Sequence, residues 1–390
     1  MKYKLGECIE EIVDKTTENN QYEVLSVTKD GIYSQEEFFK KQIASEDNTG
    51  YKIIRKNNLV FSTMNLWMGS LDVLSNYEIG IVSPAYKIFK FNESKMIPSF
   101  GKYFMKSHFM LEQYKNCSEQ GASVVRRNLD LKQLLDTEII IPTVEEQCKI
   151  AKVLENIDEI INKYTNLIKN KKQFIKSIFV EMFEKSDEGI KTKVEDVCKE
   201  MKIGPFGSAL HKKEIRETGE VFVLGTDNAV DNEFKVYERR YIDNNKYQQL
   251  VKYTVHEGDM IISMMGTIGK TAIIPNEFGT AIISSHLCCL TPDDRKITSR
   301  FLNNIFKYSS LIKYQINQQQ RGAVMNGLNL KIIKNLEFNL PSMNLQNQFE
   351  KIANLIDKQK FELEKQKQNY IDLKKGLMQQ LLTGKVKLDV

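Results

Sequence analysis

The sequence predicts an α+β chain of two strand-rich globular units, each followed by a long helix, and three observations carry that prediction. The chain repeats itself once, its apolar runs ahead of a recurring Pro are short and β-rich, and the runs after that Pro follow helical spacing. The segment from Glu138, reading E-I-I-I-P-T-V-E-E-Q, matches the one from Glu337, reading E-F-N-L-P-S-M-N-L-Q. Pro142 thereby falls on Pro341, Gln147 on Gln346, Ile157 on Ile356 and Asp158 on Asp357, at a constant offset of 199. Upstream the offset is 201, as a two-residue loop difference gives. There Asn58 to Met64 overlays Asp259 to Met265, Ile81-Val82-Ser83 meets Ile282-Ile283-Ser284, and Gly121-Ala122 meets Gly322-Ala323.

Each element follows from its pattern. In residues 1–141, strands are expected in Lys52 to Phe61 and Ile79 to Phe91, bounded by Gly, Asn or Asp, with one helix from about Ser99 to Asn116. Residues 142–185 read as a long helix. Ile150, Val153, Ile157, Ile160, Tyr164, Leu167, Phe174 and Ile178 form its stripe, interrupted by Lys171 and widened by Leu154, Ile161, Ile168 and Ile175. Residues 186–341 repeat the first unit, with strands in Glu220 to Leu224 and Gly258 to Met264 and a helix from about Ser299 to Gln318. Residues 342–390 form the last helix, with Phe349, Ile356, Leu363, Tyr370 and Leu377 seven residues apart. Helices of about 39 residues are roughly 58 Å long and do not fold alone. Their duplication within one chain favours pairing with each other, because the chain supplies both partners at high effective concentration; an ordinary dimerisation coiled coil is the alternative.

Composition bounds the function classes. The chain has 390 residues, 41% hydrophobic, which excludes disorder as its main state. No stretch reaches the roughly 18 apolar residues of a membrane span and the amino terminus lacks an apolar signal core, so a soluble cytoplasmic protein is expected. The net charge is only +5, from 56 basic and 51 acidic residues, and no segment is strongly basic: residues 1–141 carry 18 and 19, residues 186–341 carry 21 and 19. If nucleic acid is bound, the field must come from local placement or from a partner. Cys8, Cys117, Cys148, Cys198, Cys288 and Cys289 form no Cys-x-x-Cys pair, and His108, His211, His256 and His286 are scattered. Reduced thiols and no metal site are expected.

Two stretches look catalytic and fail on inspection. Gly266-Thr267-Ile268-Gly269-Lys270-Thr271 is similar to a phosphate-binding loop, but Met264 stands where the leading Gly is needed. Ser83-Pro84-Ala85-Tyr86 is similar to the base-holding loop of amino-methyltransferases. It lacks the second Pro, has no glycine-rich cofactor turn after a strand, and its counterpart is Ser284-Ser285-His286-Leu287. Both read as turns at strand ends. The duplicated positions preserve no His or nucleophile, so a non-catalytic chain is expected.

Two α+β units, each followed by a long helix that opens at Ile141-Pro142 or Leu340-Pro341, resemble the DNA-specificity subunit of type I restriction-modification systems. Further marks are Glu257 to Ser263 running into Gly266 to Lys270, the turn Gly204-Pro205-Phe206-Gly207-Ser208, and the closing Leu377-Met378-Gln379-Gln380-Leu381-Leu382-Thr383-Gly384-Lys385. The likeness covers essentially the whole chain. It implies target-recognition domains at 1–141 and 186–341, each reading half of a bipartite asymmetric DNA site. The spacer helices 142–185 and 342–390 would then pair as an antiparallel coiled coil. It also implies two methyltransferase (modification) subunits, which methylate adenine, and restriction/translocase subunits as partners on double-stranded DNA. S-adenosylmethionine, ATP and Mg²⁺ would belong to those partners and none to this chain. The first domain departs from the pattern, with Trp67-Met68-Gly69-Ser70 where the second has Ile268-Gly269-Lys270-Thr271, so its half-site should differ.

Base readers need long polar side chains on loops: Arg or Lys for guanine, Asn or Gln for adenine, others for phosphate. Arg126 and Arg127 follow the turn Gly121-Ala122-Ser123, and the equivalent loop offers Arg321 and Asn326. Lys212 and Lys213, just after the Gly204 to Ser208 turn, suit phosphate. Lys29, Asn65, Trp67 and Asn228 are further candidates, Trp67 being equally suited to a core. Two rival readings stand beside this one: a lone DNA methyltransferase using Ser83 to Tyr86, and a coiled-coil adaptor that never meets DNA.

Overall fold

The computed structural model describes residues 1–29, 31–38, 47–120, 127–185, 189–321 and 327–382. Helix and strand mix throughout, and the chain divides into two compact units, residues 1–166 with 363–390 and residues 167–362. Each unit thus holds one strand-rich body and a stretch of each long helix, Val144–Phe179 and Met343–Leu381.

In the first unit, Ile9–Ile12, Tyr86–Phe91, Leu59–Ser62 and Leu71–Val73 form an antiparallel sheet in that spatial order. Alternation sends its side chains to two cores. Leu59, Phe61 and Phe89 meet Leu5, Phe100, Tyr103, Ile150, Leu154 and Leu381 on one face. Val60 and Ile88 meet Leu25, Val27, Ile54 and Val82 on the other. Both faces are covered, which is why Leu59–Ser62 is buried along its whole length.

The second unit repeats this order with Cys198–Ile203, Leu287–Pro292, Met260–Ser263 and Thr271–Ile273. Met260, Ile262, Cys288 and Leu290 face Phe179, Phe301 and Phe349, while Ile261 and Cys289 face Phe222, Leu224 and Ile283. Each unit also pairs a short strand with the strand that ends at the recurring Pro: Lys2–Lys4 with Glu138–Ile140, and Ile190–Lys193 with Glu337–Leu340.

The duplicated residues form the same joints twice. Gln147 is fully buried; its Oε1 accepts from the Ile97 amide at 3.0 Å and its Nε2 donates to the carbonyls of Lys95 at 2.7 Å and Pro142 at 3.1 Å. Gln346, equally buried, accepts from the Thr298 amide at 3.4 Å and donates to the carbonyls of Lys296 and Pro341, both at 3.0 Å. A buried amide that satisfies three main-chain groups is costly to lose, which explains an invariant Gln in two otherwise divergent units.

Asp158 accepts from Tyr103 at 2.8 Å and from Lys374 at 2.6 Å; Asp357 pairs with Arg300. Burial first, and then the hydrogen bond from its hydroxyl to Asp158, push the Tyr103 phenol well above its usual range, so it stays a donor. Within the first unit the helix stretches also meet at Tyr164–Gln366, 2.7 Å, and within the second at Lys171–Gln359, 2.7 Å. In each unit the stretches run antiparallel: Asp158 meets Lys374 and Tyr164 meets Gln366, while Lys171 meets Gln359 and the Phe179 ring meets Phe349.

The structure corrects two sequence expectations. The helix expected over Ser99 to Asn116 is two, Pro98–Phe104 and His108–Asn116, and the one over Ser299 to Gln318 is Ser299–Tyr308 and Ser310–Arg321. Ser107 Oγ accepts from the Met110 amide and Ser309 Oγ from the Ile312 amide, each at 3.3 Å, so a serine starts a new helix at each break. The runs from Lys52 to Phe61 and from Ile79 to Phe91 are likewise each two strands in different sheets; in the first, Asn57 takes a left-handed φ of 68° and Asn58 caps the Arg55 amide at 2.9 Å.

Candidate nucleic-acid interface

In each unit the corresponding end of the four-stranded sheet gathers the loops that carry the polar candidates. In the first unit this is where Ile12 and Ser62 end and Leu71 and Tyr86 begin. The connection from Ser62 to Leu71 is held by buried Leu66, one 3-10 turn over Leu66–Met68, and Gly69 at φ 83°. Asn65 sits at its start, its carbonyl accepting the Met68 amide at 3.0 Å.

The Arg127 amide donates to the Met64 carbonyl at 3.3 Å, bringing the strand Arg127–Leu129 onto this loop. The Arg127 guanidinium then lies over the Trp67 ring, 4.5 Å from its centroid. Its Nε is buried and finds no acceptor among the described residues. Lys29 is exposed at the end of Leu25–Thr28, a strand tied to the same loop by Ser70 Oγ donating to Val27 at 3.4 Å. Lys29, Asn65, Trp67 and Arg127 therefore share one end of the unit. Trp67 is half-buried, used as a platform for Arg127 rather than as core.

The equivalent end of the second unit is built by main-chain ties between four segments. The Gly204 amide donates to Leu287 at 3.2 Å, the Met264 amide to His286 at 2.9 Å, and the Leu328 amide to Met264 at 2.9 Å. The loop after Ser263 closes on itself: Ser263 Oγ donates to the Thr267 carbonyl and accepts the Lys270 amide at 3.1 Å, with Gly266 and Gly269 at positive φ. It is a turn between two strands, as read. Ser83–Ala85 is likewise a turn, the Tyr86 amide donating to Ser83 at 3.0 Å.

Lys212 and Lys213 are exposed beside the Gly204 to Ser208 turn. Phe206 stands on that turn with 68% of its surface exposed. The segments Gly204 to Lys213, Met264 to Thr271 and Ser284 to Leu287 contain no Asp or Glu but hold Lys212, Lys213, Lys270, His211 and His286. Carboxylates border these segments: Glu214 accepts the His211 amide at 2.7 Å and pairs with Lys246, and Asn232, which accepts the Thr271 amide at 3.2 Å, is flanked by Asp231 and Glu233.

One candidate is overturned. Asn228 is fully buried: its Oδ1 accepts from the Gly225 amide at 2.8 Å and from Arg240 at 3.2 Å, and its Nδ2 donates to the Lys235 carbonyl at 2.6 Å. It pins a loop and has nothing left to offer a base. Arg126 and Asn326 lie outside the described residues, as does the side chain of Arg321, which closes the helix Ser310–Arg321. Sequence reading passed over Phe206, Lys270 and His286. The available signal for Phe206 was its place between Pro205 and Gly207, residues that mark a turn and hence a surface segment.

Residues 191–373 match the family described as the type I restriction modification DNA specificity domain. Over that stretch the chain resembles a type I restriction-modification specificity domain. Two relatives from Methanocaldococcus jannaschii agree. The putative type I restriction enzyme MjaX specificity subunit is 24% identical over 307 residues, spanning 76% of this chain and 70% of that protein. The type I restriction enzyme MjaVIII specificity subunit is 25% identical over 309 residues, spanning 73% and 70%. Two solved structures share the fold at 15% sequence identity. One, solved in work on complex assembly and conformational transition of the type I R-M system, has a TM-score of 0.58 and covers 99% of this chain and 98% of that one. The other, the type I restriction-modification system S subunit from M. genitalium, has a TM-score of 0.53 and covers 98% and 96%. The resemblance drawn from the duplicated Pro-x-x-x-x-Gln helix starts and the closing Leu-Leu-Thr-Gly-Lys motif is borne out. No helix among the described residues is long and apolar enough to cross a membrane.

Proposed function

We propose that this chain is the DNA-recognition subunit of a type I restriction-modification complex, reading a bipartite asymmetric site on double-stranded DNA. In this reading it directs adenine methylation, and restriction of unmodified DNA, by partner subunits. The observation that carries it is the pairing of duplicated joints with divergent tips: Gln147 and Gln346 make the same three main-chain bonds, while the sheet ends above them present Trp67 with Arg127 in one unit and Phe206 with Lys212 and Lys213 in the other. One scaffold carrying two different polar surfaces is what reading two different half-sites requires.

Arg127, pre-oriented on Trp67, is suited to a guanine edge, and Lys212 and Lys213 to phosphate. The two long helices would pair as an antiparallel coiled coil, a stiff spacer that sets the distance between half-sites. Two modification subunits and the restriction/translocase subunits would supply the chemistry, with S-adenosylmethionine, ATP and Mg²⁺ held by them. The test is genome-wide mapping of methylated adenine in cells with and without the gene, the partner methyltransferase being present. A two-part motif with a fixed gap that vanishes on deletion is expected; an unchanged pattern, or methylation by the purified chain alone, overturns the reading.

A further inference from the structure

We propose that Phe206 is an apolar wedge by which the second unit enters a base step of its half-site. The inference rests on the DNA-recognition reading above and adds a mechanical role to it. A single exposed Phe is unremarkable by itself; what matters here is how it is held and what surrounds it. Pro205 restricts the backbone before it, and the Phe206 carbonyl accepts the Ala209 amide at 2.7 Å. Gly204 lies so close to the neighbouring turn that a Cβ there would stand 2.1 Å from the Ser284 carbonyl oxygen. The turn is therefore seated on the sheet end, and the ring projects from a fixed position.

On its own segment stand the exposed Lys212, Lys213 and His211, with the Glu214 carboxylate turned back onto the His211 amide at 2.7 Å and paired with Lys246 at 2.9 Å. Met265, in the turn after Ser263, is a second exposed apolar side chain at this sheet end, 40% exposed. An apolar tip inside a cationic rim fits a ligand whose outside is anionic and whose interior offers flat apolar faces, which describes stacked bases between phosphate chains. An apolar protein groove would call for an apolar rim instead.

Chemistry on a base inside a duplex requires that base to leave the stack, at a cost of a few kcal/mol. Side chains such as Phe inserted at a base step partly unstack it and kink the duplex. Among the described residues the first unit shows no bare aromatic ring at this end: after Ile9–Ile12 comes Val13, 62% exposed but without a flat face to stack, then Asp14, held by Arg55 at 2.7 Å, and Trp67 lies under Arg127. The distortion made by the wedge should therefore fall in one half-site only, at a step other than those from which the modification subunits extrude their target adenines.

The experiment uses the full chain assembled with its modification subunits and duplexes of the mapped site, with 2-aminopurine placed in turn through both half-sites. Fluorescence should rise several-fold at one step of the half-site read by the second unit. Phe206→Ala should abolish the rise and weaken specific binding roughly tenfold to hundredfold, the range of losing one base-aromatic stack, while Phe206→Tyr keeps both. Because Phe206 is exposed, the Phe206→Ala chain should melt like the parent. A rise absent from the parent complex, or one that survives Phe206→Ala, overturns the wedge while specific binding by the parent leaves DNA recognition standing. Failure of Phe206→Ala to assemble with the modification subunits makes Phe206 a protein contact and also overturns it. A parent complex with no sequence-specific binding sinks both readings.

Discussion

The two sheet ends differ more than the sheets that carry them. In the first unit the aromatic residue is covered, Trp67 lying beneath Arg127; in the second it is bare, Phe206 standing among Lys212, Lys213 and His211. Below these tips the strand order, the paired edge strand and the buried glutamine recur. Packing constrains what is buried on both faces, whereas a loop at a strand end answers only to its ligand. The duplication has thus kept what holds each unit together and released what meets the outside.

The largest effect that could break this comparison is a change of sequence read. Replacing residues 1–141 by those of a relative with a different target should alter one half of the methylated motif completely and leave the other intact. Alteration of both halves would mean that the units do not read independently.

Next in size are the joints. Gln147→Ala and Gln346→Ala each strand buried main-chain groups and should each cost about 3 kcal/mol. Hydrogen exchange under native conditions should show the loss confined to the altered unit. Unequal costs would show that the joints are not equivalent.

Smaller is the effect of Arg127→Ala, which removes the cover from Trp67 and one candidate base contact. Specific binding should fall roughly tenfold, with the loss vanishing on DNA altered in the first half-site. Trp67 is the chain's single tryptophan, so its emission should shift on DNA binding and report the first unit alone. Arg127→Lys should not restore the parent behaviour, because an ammonium cannot lie flat on indole as a guanidinium does.

The smallest effect concerns the thiols. Burial pushes Cys198 and Cys288 up to about 12, so both stay protonated and inert at pH 8, and Cys289 is raised as well by burial and then by Asp259. Cys148 is exposed, and maleimide should modify it first. It neighbours Gln147, where the second unit has Asn347 beside Gln346, so the label should disturb reading of the first half-site alone.

What could be read in the sequence was what the duplication had fixed. Pro142 with Gln147 and Pro341 with Gln346 are visible because buried polar joints tolerate no substitute, and the helical stripes because they face packed neighbours. The helix breaks at Ser107 and Ser309 were hidden, since apolar spacing carries on across them and only the serine caps mark the new start. Asn228 looked like any polar loop residue; its burial depends on Gly225, Lys235 and Arg240 folding around it. The Arg127–Trp67 pair joins residues distant in sequence, and Phe206 was legible only as a turn because aromatic residues are expected inside.

Gln147 and Gln346 have one more property: apart from the helix start itself, every partner they hold is a main-chain atom of the body they anchor, the Ile97 amide and Lys95 carbonyl in one case and the Thr298 amide and Lys296 carbonyl in the other. Main-chain groups are the same whatever residue bears them. Such a socket checks the shape of an incoming body and is blind to its side chains. A gene segment exchanged upstream of either proline need only fold to the same turn to fill this socket, while the side-chain packing of Phe100 with Leu154 and of Phe301 with Phe349 still has to be matched.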